Sequence, residues 1–297
     1  VKKLAVLWWV LLSSAVLFLC YPVGYFLLDS CQLAKEFPFS ITGGEGVGAY
    51  IINLDRSKAR YESIKPYVDQ LELPTERIEA VDGSTLSEEE LKEKVDLETC
   101  RLFLGHTPKR GTIGCSLSHI KVWQTFLKSN YKYALVFEDD VSFKPKKLQV
   151  VIEDVLKNSN LWDIVNFELH CNRRMPVCIK TLIHNHELCL YLSKSTHTGC
   201  YMINRKAAKH LLEKALPIKM PVDHYFTRSW ELGVRYTGVE NPTLVHQTYG
   251  DSDINQTKNM SDDTISHWIV FKSSICATQT SIIRFLYNLK EYLLGSR

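Results

Sequence analysis

Ala134-Leu135-Val136-Phe137 is an apolar run that ends abruptly in Glu138-Asp139-Asp140. The run is short, carries Val and Phe, and is followed by the Ser142-Phe143-Lys144-Pro145 break, so it predicts a buried strand over Tyr133–Phe137. The same patterning predicts a strand over Ala49–Leu54 and a helix from Asp55 to about Leu71, with Asp55 or Ser57 as its cap. Pro74–Ala80 predicts a second strand that runs into a Val81-Asp82-Gly83 turn. Ser87 followed by Glu88-Glu89-Glu90 is a helix start, a capping serine with acids in the first turn. Apolar residues at 117, 120, 122, 123, 126 and 127 set a helical period over Ser116–Ser129, and Leu148–Leu156 reads as an amphipathic helix. Leu161–Phe167 and Thr198–Ile203 are expected strands, the second feeding a helix over Arg205–Ala215. Residues 281–294 form an amphipathic, partly basic segment, packed on the domain or lying on a membrane surface. This strand–helix alternation predicts an α/β sandwich.

The N-terminal pattern differs. Lys2-Lys3 precede a stretch from Leu4 to Leu28 that holds no charged residue. About twenty apolar residues span a bilayer. The stretch is longer than a signal-peptide core and shows no small-x-small cleavage site at its end. Residues 1–30 are therefore an expected transmembrane anchor, 31–48 a glycine-containing linker, 49–275 the folded domain and 276–297 an amphipathic C-terminal tail. The lysines place the N-terminus in the cytoplasm under the positive-inside rule. In 297 residues, 45% hydrophobic and 23% charged content are those of a globular protein. A net charge of +3 without a basic, aromatic-interleaved run gives no footprint for nucleic acid. The nine cysteines contain no Cys-x-x-Cys pair, which argues against a zinc ribbon or a thioredoxin-type site. Cys171, Cys178 and Cys189 fall in one region and can pair in an oxidising compartment, although an odd total argues against a complete disulfide framework.

The acid cluster carries the chemistry. Unpaired carboxylates in an apolar core cost several kcal/mol each, and ligands of open α/β sheets sit at strand ends. Three acids there suit a hard divalent cation that holds a diphosphate; the bland alternative is a solvated acidic loop. Residues i and i+2 share a face of an extended chain, which makes Glu138 and Asp140 the expected metal ligands and leaves Asp139 to orient a ribose or a turn. Arg56 and Arg60 follow the first strand at helical spacing, and guanidinium groups suit a diphosphate. A solvated helix face is their bland role.

Four blocks, Ile51–Arg60, Arg77–Gly83, Gly111–His119 and Val136–Val141, occur in an order and spacing that resemble glycosyltransferase family 25. That family includes lipooligosaccharide and collagen galactosyltransferases, and the resemblance covers roughly residues 49 to 255. It implies a GT-A-like fold, a nucleotide-sugar donor such as a UDP-hexose, a divalent metal such as Mn2+, and inversion at the anomeric carbon. Donor contacts are then expected from Asn53, Asp55, Arg56, Arg60, Asp82, Gly114, Ser118, His119 and Asp139. The glycines of the third block permit close backbone approach, and a packing role for that helix start is the competing view. The family's Asp-x-Asp site is Glu-Asp-Asp here. His246, late in the chain, is the implied third metal ligand, against a plain hydrogen-bonded histidine at a strand end. Asp223 is the expected catalytic base and Glu168 its runner-up, each also able to cap a helix.

The activity implied is transfer of a hexose, galactose from UDP-galactose, onto a saccharide of a glycolipid or glycoprotein such as lipooligosaccharide. Two other classes compete. A metal-dependent phosphodiesterase would need histidine-rich metal motifs, which are absent. A catalytically degenerate saccharide-binding or assembly protein would not need the acid cluster. The expected partners are a nucleotide-sugar donor, a saccharide acceptor on lipid or protein, and a membrane. Donor supply sets the side: the cytoplasmic face in a bacterium, the Golgi or ER lumen in a eukaryote.

Overall fold

All seven residues of β1 (Val47–Asn53) are buried, as a central strand covered on both faces requires. In the computed structural model, which describes residues 46–168, 175–248, 257–261 and 265–295, β1 pairs in parallel with both β2 (Thr75–Glu79) and β3 (Tyr133–Glu138). The full sheet is mixed and eight-stranded, in the order β2-β1-β3-β8-β5-β9-β7-β6. β5 is Ile164–Asn166, β6 Pro176–Thr181, β7 Glu187–Tyr191, β8 Cys200–Asn204 and β9 Tyr236–Glu240. A separate antiparallel ribbon joins β4 (Val141–Phe143) to β10 (Val245–Gln247).

Alternate residues of each strand enter different cores. Tyr50, Ile52, Ala134, Val136, Tyr201 and Ile203 face α4 (Arg110–Lys128) and α6 (Arg205–Lys214). Ala49, Ile51, Leu135, Phe137 and Met202 face α1 (Lys58–Asp69) and α5 (Pro145–Lys157). The result is a mixed α/β sheet between two helical layers. The carboxyl ends of β2, β1 and β3 lie side by side, with Glu79 opposite Asn53 and Ile52 opposite Glu138. Because β8 runs antiparallel to β3, its amino end reaches the same edge, Cys200 opposite Phe137. That edge gathers the site.

Several expected boundaries move. Ser57 sits at the N-cap of α1 without a side-chain cap bond, and the helix begins at Lys58. Pro145 starts α5 rather than breaking the chain, since proline at a helix's first position loses no hydrogen bond. α2 (Glu88–Lys94) has the predicted capping box, with Ser87 and Glu90 bonded reciprocally. α4 begins at Arg110, so the Gly111–His119 block lies inside a helix; its glycines and serines hide the period. α3 (Leu97–Leu104), the β6–β7 hairpin, β9 and the β4–β10 ribbon add to the predicted elements.

The anchor 1–30 and the linker up to residue 45 lie outside the described residues. Val47 and Gly48, assigned to the linker, belong to β1. Among the described residues no helix is long and apolar enough to cross a membrane. The tail expected from residue 276 is part of a 28-residue helix, His267–Leu294, that begins within the predicted domain. It packs on the domain: Ser273 Oγ donates to the Phe103 carbonyl at 3.3 Å and Asn288 Nδ2 to the Tyr191 carbonyl at 2.6 Å.

Candidate active site

β3 delivers Glu138 at its last position, and a turn through Asp139 and Asp140 leads into β4. The three carboxylates go to three different partners. Asp139 Oδ2 accepts from Asn53 Nδ2 at 2.6 Å, and its other oxygen lies 3.7 Å from Arg60 Nη1. Asn53 in turn accepts from Arg77 Nε at 2.9 Å. Asp140 Oδ2 accepts from Gln247 Nε2 at 2.8 Å, while its buried Oδ1 has no hydrogen-bond partner among the described residues. Burial, reinforced by the charge of Glu138, pushes the Asp140 carboxyl up to about 7. Glu138 Oε1 accepts from Thr198 Oγ1 at 2.6 Å and faces His119 Nε2 at 3.4 Å. Burial raises its pKa, but the His119 and Thr198 contacts outweigh burial and hold Glu138 below the usual carboxylate range.

A buried chain fixes the His119 tautomer. Trp123 Nε1 can only donate, and it donates to Tyr201 Oη at 2.9 Å. The Tyr201 hydroxyl is 3.0 Å from His119 Nδ1 and stays protonated, because burial lifts its pKa well above the ordinary value. Its proton therefore points to Nδ1, and Nε2 carries the N–H that faces Glu138. Cys115 Sγ, His119 and Glu138 lie close enough together to hold a metal ion. A protonated Nε2 does not ligate, so His119 serves here to keep Glu138 ionised. The unsatisfied oxygen of Asp140, beside that ionised carboxylate, fits a hard divalent cation better.

Two clefts meet at this cluster. One is lined by Asn53, Arg56, Arg60, Asp82, Ser118 and His119 together with the acids. Arg56 is paired with Asp82, which also caps a short turn by accepting from Ser84 N at 3.0 Å. Ser118 Oγ donates to the Gly114 carbonyl at 2.7 Å and accepts from Val81 N at 2.8 Å, tying α4 to the loop after β2. Gly114 does not line the cleft; a Cβ there would lie 2.5 Å from the Val81 carbonyl, so its role is close packing. Asp55 is exposed and pairs with Arg77 at 3.4 Å, outside the cleft. His246 is exposed on β10 and also stands apart; strand alternation turns its neighbour Gln247 to the acids instead.

The second cleft, a cavity of about 510 Å3, brings Asp223 and Glu168 together with Glu138 and Gln247. Glu168 is 4% exposed and both its oxygens are engaged: Oε1 lies 2.8 Å from His197 Nδ1, and Oε2 accepts from Gly199 N at 3.0 Å. The Glu168 contact raises the His197 pKa, and His197 itself sits at φ 83°, a left-handed conformation unusual for a non-glycine residue. Asp223, on the short helix α7 (Val222–Tyr225), has no hydrogen-bond partner among the described residues. Arg77, Cys115, His197, Thr198 and Gln247 were not foreseen as site residues. Thr198 and His197 adjoin a predicted strand start, and the rule that strand ends hold ligands would have flagged them had it been applied beyond the carboxylates.

A family model described as "Glycosyltransferase family 25 (LPS biosynthesis protein)" matches residues 47–226. A "Glycosyltransferase 25 family member" of Aedes aegypti is 31% identical over 184 residues, covering 59% of this chain and 30% of that protein. A "Procollagen galactosyltransferase 1-A" of Xenopus laevis is 28% identical over 191 residues, with 59% and 30% covered. An "Inactive glycosyltransferase 25 family member 3" of Mus musculus is 34% identical over 122 residues, with 39% and 21% covered. The chain thus spans less than a third of the length of these relatives.

Proposed function

The chain belongs to glycosyltransferase family 25, and from that membership we propose that it transfers a hexose, with inversion, from a nucleotide-sugar donor to a saccharide hydroxyl. The unsatisfied Asp140 oxygen in the first cleft, beside the Glu138 that lines both clefts, carries the reading. UDP-galactose is the proposed donor, supported by the name of the Xenopus relative. A saccharide on a glycolipid or glycoprotein is the proposed acceptor. The GT-A-like assignment rests on the same membership.

Asp140 and Glu138 would hold a divalent ion of the Mn2+ type; when bound, it supplies Lewis-acid neutralisation of the leaving diphosphate. Arg60, and Arg56 on release from Asp82, offer guanidinium donors to the same anion. Asp139 is steadied by Asn53 for a ribose contact. In the second cleft the acceptor oxygen attacks the anomeric carbon, the bond from that carbon to the phosphate oxygen breaks, and the hydroxyl proton passes to the Asp223 carboxylate. UDP leaves with the bonding pair. Glu168, with both oxygens engaged, is assigned to holding His197 and the Gly199 backbone rather than to taking the proton. Attachment to a membrane through the charge-free Leu4–Leu28 stretch belongs to the same reading.

The test is UDP-galactose hydrolysis and transfer with and without Mn2+. Turnover that requires the metal is expected, and no turnover at all would favour a saccharide-binding protein of the same fold. Asp223→Asn should lose about a hundredfold to ten-thousandfold in rate while keeping donor affinity. Glu168→Gln should lose less. A dead Glu168→Gln beside a near-normal Asp223→Asn would move the base to Glu168.

A further inference from the structure

The β6–β7 hairpin sets two cysteines face to face. Cys178 of β6 pairs with Cys189 of β7 in antiparallel register. The hydrogen-bond phase tells which kind of pair this is. Leu192 N donates to the Met175 carbonyl at 3.0 Å, so Met175 and Leu192 form a hydrogen-bonded pair. Bonded and open pairs alternate along antiparallel strands. Pro176 opposite Tyr191 is therefore open, as a residue without an N–H requires. Val177 opposite Leu190 is bonded, and Cys178 opposite Cys189 is open again. In an open pair the Cα atoms lie about 4.5 Å apart and the side chains are drawn together. A disulfide spans Cα separations of about 4.4–6.8 Å. Both side chains share one face of the sheet. Cys189, 1% exposed, belongs to the core cluster that holds Tyr191 and Tyr236, and the half-buried Cys178 packs against the same cluster. Burial pushes the Cys189 thiol well up, and its contact with the Cys178 thiol adds to the shift.

The strand that carries Cys178 is weakly held. β6 is the outermost strand of the sheet, hydrogen-bonded among the described residues to β7 alone. None of its six residues is buried, and its register shifts between Cys178 and Lys180. An edge strand with so little apolar cover depends on its ladder and opens readily. β6 is also the first element after Glu168, so its seat fixes where the chain that leaves the second cleft is held.

The geometry points to a cross-strand disulfide between Cys178 and Cys189, formed by exchange with a small-molecule disulfide of the glutathione type. Cys178, the more exposed of the two, loses its proton, and its thiolate attacks one sulfur of the glutathione disulfide. The glutathione S–S bond breaks, and the first glutathione leaves as a thiolate and takes up a proton. The Cys189 sulfur then gives up its proton, attacks Cys178 Sγ and expels the second glutathione, which is protonated in turn. Two protein thiols are oxidised and one glutathione disulfide is reduced to two thiols. The exchange runs forward in an oxidising compartment and backward in a reducing one. Of the three cysteines in this region, the register selects Cys178 and Cys189; Cys171 lies outside the described residues. The inference does not depend on the transfer reaction.

The experiment incubates the full chain, in a mild detergent, in glutathione buffers from fully reduced to fully oxidised. Remaining thiols are blocked with iodoacetamide, and tryptic peptides are mapped by mass spectrometry. Cleavage after Arg174, Lys180 and Lys194 puts Cys178 on residues 175–180 and Cys189 on residues 181–194, while Cys171 falls on a third peptide. The two hairpin peptides should be joined in the oxidised buffers and separate in the reduced ones. Wild type and Cys171→Ser should melt several degrees higher oxidised than reduced, and Cys178→Ser should lose that gain. Hairpin peptides found alkylated throughout the series would overturn the inference. So would Cys189 joined to Cys171, Cys178 ending as a lasting mixed disulfide with glutathione, or a melting gain undiminished in Cys178→Ser.

Discussion

Asp140 sets the pH behaviour of the site. Its carboxyl sits at about 7, against an ordinary value of 3.8, and the first cause is burial. Without metal, the folded protein keeps a proton that the unfolded chain has lost over the window from about 4 to 7. The stability from this residue is therefore full below the unfolded value and is lost as pH rises through 7. A divalent ion at the proposed site would compete with that proton, so its apparent affinity should rise with pH and level off above 7. Melting temperatures at pH 5 and pH 8, with and without Mn2+, check this: the metal's stabilising shift should be larger at pH 8 for wild type and nearly pH-independent for Asp140→Asn. An equal wild-type shift at both pH values would remove Asp140 from the metal site. Glu138 and Asp140 were legible as members of one acid cluster, but the extended-chain argument for pairing them does not hold, because β3 ends at Glu138 and Asp139-Asp140 form a turn. Their difference was not legible: His119 and Thr198 hold one ionised, and burial beside that charge keeps the other protonated.

At the scale of elements, α4 and the loop after β2 fit together through two glycines. A Cβ on Gly114 would come within 2.6 Å of Gly83 N, and one on Gly83 within contact distance of the Arg110 carbonyl. The helix therefore rests on backbone, and its first turns place Cys115, Ser118 and His119 against the acid cluster. Gly114→Ala should cost about 1–3 kcal/mol in stability, the range for an overpacked site. It should also weaken donor binding, since the Ser118 tie to Val81 would lengthen. Urea unfolding and donor titration measure the two effects; an alanine variant as stable as wild type would show that the contact yields. The sequence hid this helix start because glycine at 111 and 114 is a poor helix former, and the compensating contact comes from a loop more than thirty positions earlier.

For the whole molecule, the described residues from Gly46 onward belong to one compact unit. Removal of residues 1–38 should leave a folded domain with native-like circular dichroism and the same metal-dependent stabilisation as the full chain. Aggregation without a cooperative melting transition would show that the domain needs its N-terminal part.

The sequence by itself determined what is local. Periodicity placed β1, β3 and most helices, and the capping box at Ser87 and Glu90 was readable because cap and helix are three residues apart. The acid turn was readable because strand ends hold ligands in this class of sheet. Only the tertiary structure decided which residues complete the site. Gln247 rather than His246 reaches Asp140, because a one-residue step in a strand reverses the side chain's direction and the ribbon register is set by long-range pairing. His197 meets Glu168 across a gap of 29 positions. The long C-terminal helix His267–Leu294 turns its polar side inward because the buried carbonyls of Phe103 and Tyr191 need donors. Local pattern fixes an element's type and its faces; partners distant in sequence decide which face is buried and against what.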